Sequence, residues 1–125
     1  YPLIEIHNLI FYGNEPYGSE LLANNAIHAG VVLGPETKLS IEKIETDLKL
    51  IYDNEIIDTW NNKVWPVDML SELNWLVNEQ AKNNNYLKEG DLILTGAYGF
   101  PVPINDKKLI EVTSSAFGDV KVTFY

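Results

Sequence analysis

The stretch that most limits what this chain can become is "WPVDMLSELNWLVNEQAKNN", the clearest helix in a sequence otherwise written in strands. Leu70, Leu73, Val77 and Ala81 recur at three- and four-residue spacing, which lines them along one helical face. Pro66 suits the first turn, where a missing N–H costs nothing, and "NNNYLKEGD" closes the element in polar turn residues. The pattern predicts a helix from Pro66 to about Lys82 that buries Leu70, Leu73, Leu76 and Val77.

Everything around that helix reads as short strands and turns. "PLIEIHNLI" reads as a strand and "FYGNEPYG" as a loop. Ser19 is placed to N-cap a short helix, "ELLANNA", because its hydroxyl can accept from an orphan backbone N–H. "AGVVLGP" reads as a buried strand closed by Gly34-Pro35. "KLSIEKIETDLKLIYDNEIIDTW" alternates through Leu48, Leu50 and Tyr52, with "DNE" as a hairpin turn before Ile56-Ile57. Leu92-Ile93-Leu94 reads as a strand ending in "TGAYGFPVP", and "KLIEVTSS" and "DVKVTFY" as two more joined by "AFG". Many strands with one good amphipathic helix make the class α+β. At 125 residues this is one domain, 1–125, without repeat or linker.

Charge narrows the partners. A net charge of -9 argues against nucleic acid and against an anionic membrane, which both select basic patches. With no cysteine, neither disulfides nor thiolate metal sites can form, which fits a reducing, cytoplasmic compartment. No apolar run approaches the roughly 20 residues of a membrane span. Beginning at Tyr1 inside a strand-like segment, the sequence looks cut.

Five positions invite chemistry. Glu5 lies between Ile4 and Ile6, where a carboxylate is costly unless paired. It is either a ligand for Mg²⁺ or Mn²⁺, which favour oxygen donors, or a residue on the solvent face of a half-buried strand. His7 shares its strand face and is placed to share a cation with it; His28 suits acid–base work. For both histidines the commoner role is that of a surface or hydrogen-bonded core residue. Thr95 and Gly96 bring a hydroxyl and bare backbone to a strand end, which serves either a substrate or a simple turn. Trp60, Trp65 and Trp75 read as core and rim. No nucleophile elbow, phosphate loop or dinucleotide fingerprint is present.

Taken in order, "PLIEI", "LLANNAIHAGVVLG", "IIDTW", "PVDMLSELNWLVNEQ", "LKEGDLILTGA", "PVPI" and "FGDVKVTFY" resemble the C-terminal half of the 2-keto-4-pentenoate hydratase and 4-oxalocrotonate decarboxylase family, within the fumarylacetoacetate hydrolase superfamily. The resemblance implies the C-terminal portion of a longer hydratase-like lyase that binds a small 2-oxo acid through Mg²⁺ or Mn²⁺. It implies a mixed sheet curled into a roll or distorted barrel. Glu5 matches the family's third metal carboxylate, and Thr95 its hydroxyl at the substrate pocket, with Gly96 beside it. Asn25, in "ANNA", matches a segment that serves structure.

Two departures bear on activity. No Glu-x-Glu pair precedes Glu5, and Ile10 stands where the family has arginine. These 125 residues are therefore expected to be inactive by the family's metal mechanism. The alternative is a non-catalytic small-acid-binding or oligomerisation domain that kept the fold and lost the metal site. A partial sheet exposes edges, which points to a homo-oligomer or to pairing with a further segment.

Overall fold

In the computed structural model, residues 1–38, 42–66, 69–106 and 108–125 are described. Their order is β1 (Leu3–His7), α1 (Ser19–Ala23), β2 (His28–Leu33), β3 (Ile44–Tyr52), β4 (Glu55–Trp65), α2 (Met69–Lys82), β5 (Leu109–Ser114) and β6 (Val120–Thr123). A two-stranded ribbon pairs β1 with β2, and a four-stranded sheet runs β4-β3-β5-β6. The class is α+β, as expected. All four pairings are antiparallel, so among the described residues neither sheet is mixed.

The four-stranded sheet holds the core. Asp53 and Asn54 adopt left-handed φ of 45° and 70°, the two-residue turn whose twist matches paired strands. The Asp53 carboxylate also accepts from the backbone N–H of Leu109 at 2.8 Å, fixing the start of β5 beside the hairpin end. Tyr52, Ile110 and Val120 are the buried apolar side chains among the described residues. Buried polar groups find partners there. Thr46 and Ser114 hydroxyls lie 2.9 Å apart, and Glu111 pairs with Lys121, which stands opposite it in register.

The ribbon is fastened to that sheet at a few points. Gly34 donates its N–H to the Pro2 carbonyl at 2.8 Å, and a Cβ on Gly34 would lie 3.1 Å from Cβ of Val120. Thr37 donates to the Phe117 carbonyl, and Gly118, at φ 84°, leaves the space that Pro35 fills.

Several expected elements are placed differently. Ser19 is the first residue of α1, not its cap; the cap position is Gly18, with no side-chain hydrogen bond. The helix stops at Ala23 because Asn25, Ala26 and Ile27 have φ of 51°, 52° and 60°, the opposite hand. Asn25 opens the one-turn 3-10 segment Asn25–Ile27 that precedes β2. Pro66 lies in a turn after β4 and α2 runs from Met69, with Val67 and Asp68 outside the described residues. Leu39, Ser40 and Ile41, in the expected long strand, lie outside them too.

The largest corrections concern α2 and residues 92–94. No residue of α2 is buried, and Leu70 and Val77 are 57% and 44% exposed. The apolar stripe forms as its spacing dictates, but among the described residues it is only partly covered, with Leu73 and Leu76 half-buried. Leu92-Ile93-Leu94 joins no ladder among the described residues, since a strand exists only where a second backbone pairs with it. These residues instead face the C-terminal half of α2 across a cleft of about 810 Å³.

Candidate functional site

The "TGAYGFPVP" segment answers to the four-stranded sheet rather than to a strand of its own. It crosses β3 and β4 as a strap. The Tyr52 hydroxyl donates to the Val102 carbonyl at 3.2 Å, and a Cβ on Gly99 would stand only 2.5 Å from the Trp60 ring. Glycine is needed at 99 for that approach. Lys63 of β4 sits over the Tyr98 ring, its ammonium 5.8 Å from the centroid, near enough for a cation–π attraction.

Between strap, β4 and the start of α2 lies a cleft of about 460 Å³, within the range that takes a small molecule. Thr95 and Gly96 line it, together with Asn62, Lys63, Glu72 and Tyr98. Gly96, at φ 100°, holds a conformation that side-chain-bearing residues rarely adopt, and it presents bare backbone. A hydroxyl, an ammonium, a side-chain amide and one carboxylate thus share a single opening. Sequence reasoning found Thr95 and Gly96 and missed Lys63, Asn62 and Glu72. The available signal was a lone cation in the strand leading to Trp65, in a chain with twice as many acids as bases.

Glu5 is elsewhere. Neither it nor either histidine lines that cleft. Its Oε1 accepts from His28 Nδ1 at 2.9 Å, and His7 Nε2 lies 3.4 Å from the same oxygen. A β-bulge makes this cluster. Ile6 pairs with Gly30 but His7 pairs with His28, so Ala29 is the extra residue and His28 turns onto the Glu5 face. Burial pulls the Glu5 carboxyl up, but the hydrogen bonds from His28 and His7 and their charges outweigh it. The carboxyl ends below its usual range, which keeps it ionised. His7 Nδ1 is buried and has no hydrogen-bond partner among the described residues.

Among the described residues Glu5 brings one carboxylate, with two imidazoles against its Oε1, so alone it offers Mg²⁺ or Mn²⁺ only part of the set of oxygen ligands those ions favour. Among the described residues no group of three or more His, Cys, Asp or Glu side chains is arranged to hold a metal ion. Nor is any helix among them long and apolar enough to cross a membrane.

No family model matches the chain, and no curated protein or solved structure matches it.

Proposed function

We propose that this chain is a hydratase-like, hydro-lyase domain whose part in the reaction is to bind a small 2-oxo acid in the cleft beside the strap. The observation that carries this reading is that Lys63 and Thr95 line one cleft sized for such an acid. An ammonium attracts the acid's carboxylate as a point charge, the Thr95 hydroxyl donates to it, and Gly96 lets the keto end approach the backbone. Glu72, in the same lining, is the group positioned to accept a proton from the carbon next to the keto group. The roll architecture of the hydratase family belongs to this proposal, as does its lyase chemistry.

Calorimetric titration with pyruvate and with oxalate tests the reading, with and without Mg²⁺. Binding that weakens about tenfold or more in Lys63→Met supports it, in line with the loss of one charge-assisted contact. Absence of binding, or equal binding by the variant, ends it. The separation of Glu5 from the cleft favours one second reading, a small-acid-binding domain that performs no chemistry. Exchange of the C3 protons of bound pyruvate with D₂O divides the two. It proceeds in the hydratase reading and falls in Glu72→Gln; a binding domain leaves it at the buffer rate.

A further inference from the structure

Lys63 reaches its cleft through an irregularity in β4. In a regular strand, residues an odd number apart point to opposite faces, and Trp60 and Lys63 are three apart. Yet Trp60 stands opposite Leu48, and Lys63 opposite Thr46. One residue on β3, Asp47, therefore spans two on β4, Asn61 and Asn62. Opposed residues share a face, and Thr46 and Leu48 alternate onto the same one. The bulge thus sets Lys63 on the face of Trp60, where the strap crosses at Gly99 and Tyr98 meets the ammonium.

A short network holds that bulge. Asn62 has a left-handed φ of 53°, which is uncommon outside glycine, and its N–H donates to the Asp47 carboxylate at 2.8 Å. Asp47 is anchored in turn by its own backbone. Its N–H donates to the Ser115 hydroxyl at 2.9 Å, and its carbonyl accepts from the Ser115 N–H at 3.1 Å. Lys63 is in no ion pair among the described residues, so its direction follows from the backbone beneath it and the Tyr98 ring beside it.

We infer that Asp47 is the positioning residue of the cleft. By holding the Asn61–Asn62 bulge it keeps Lys63 on the ligand side of β4, although Asp47 itself does not line the cleft. The inference goes beyond small-acid binding and rests on that reading for the role of Lys63. When the bond is lost, Lys63 faces the cleft for only part of the time, and apparent affinity falls by that fraction. Charge acts in the opposite direction. Removing a carboxylate near the cleft, by itself, favours an anionic ligand.

Calorimetric titration with pyruvate, run on wild type and on variants, tests the inference. Asp47→Ala should bind about fivefold more weakly, the net worth of one hydrogen bond turned into a population, with an unchanged far-UV dichroism spectrum. Asp47→Asn keeps a carbonyl oxygen for the Asn62 N–H and should stay within about twofold of wild type. Added to Lys63→Met, Asp47→Ala should cost nothing further, which a general loosening of the sheet would not produce. Hydrogen exchange reads the bond without any substitution: the wild-type Asn62 amide should exchange at least about tenfold more slowly than in a free peptide. If wild type binds no pyruvate, or Lys63→Met binds as well as wild type, the small-acid reading fails and takes this inference with it. If Lys63→Met weakens binding and Asp47→Ala does not, the inference alone is overturned. An equal loss from Asp47→Ala in the Lys63→Met background overturns it too, as does Asp47→Asn falling as far as Asp47→Ala, or an unprotected Asn62 amide.

Discussion

The four-stranded sheet and the two-stranded ribbon are built from similar residues and carry different loads. Every buried residue described, apolar or polar, is in the sheet: Thr46 and Tyr52 on β3, Ile110, Glu111 and Ser114 on β5, and Val120 on β6. The ribbon has none, although β1 and β2 are nearly as apolar in sequence. Burial depends on a layer being opposite, and among the described residues the ribbon's main neighbour in the sheet is the short edge strand β6. An isolated two-stranded ribbon is marginal in water. Here its free side is closed by charge: one ionised carboxylate held between two imidazoles. Apolar packing therefore stabilises the sheet, and a polar cluster helps set the ribbon's register.

The sharpest way to break that comparison is to remove packing on each side of it. Ile110→Ala deletes a side chain that is 3% exposed, and it should cost about 3 kcal/mol in urea unfolding. Leu70→Ala on α2 should cost no more than about 0.5 kcal/mol at concentrations where the chain is monomeric. Comparable losses would show that α2 is packed and that the sheet is not the sole core.

Next in size is the joint between the two regions. Gly34→Ala puts a Cβ 2.8 Å from Cγ of Pro2 and 3.1 Å from Cβ of Val120, closer than atoms tolerate. The ribbon must move off β6, at a cost of about 1–3 kcal/mol. Native-state hydrogen exchange locates the damage. Amides of β1 and β2 should lose protection while those of β3 and β5 keep theirs. Uniform loss across both regions would mean that they unfold as one unit.

How much of this was readable beforehand divides along the same line. Local signals were legible. "DNE" announced the hairpin that Asp53 and Asn54 form, and the helical spacing announced α2 through to Lys82. Partnership was not. Nothing in Leu92-Ile93-Leu94 says whether another backbone pairs with it, and the α2 stripe does not say what covers it. Register was also out of reach at the cluster. Simple alternation from the Glu5–Val31 pair puts Ala29 opposite His7; only the bulge brings His28 there. The three left-handed residues just before His28, one of them the β-branched Ile27, deliver that strand start. Backbone of that hand on non-glycine residues follows from surrounding contacts, such as the bond from Asn8 N–H to the Ile27 carbonyl, rather than from propensity. Thr95 and Gly96 were legible as a place where a ligand meets backbone. Lys63 and Glu72 reached the same cleft from distant positions in the chain.

The smallest expected effect isolates the charge that helps hold the ribbon. The folded Glu5 carboxyl titrates below its ordinary value of 4.5, so the unfolded chain binds its proton more readily than the native one. The stabilisation is fully present above 4.5 and is lost as pH falls through the lower folded value. Other carboxylates titrate in the same window, and the difference between wild type and Glu5→Gln removes their contribution. At pH 7 the variant ribbon should be the looser of the two, read from exchange at the Val31 amide opposite position 5. As pH falls through the lower folded value the two should converge, because protonated Glu5 no longer offers His28 a charged acceptor. A wild-type ribbon that fails to loosen as pH falls below 4.5 would remove the Glu5–His28 contact as its support.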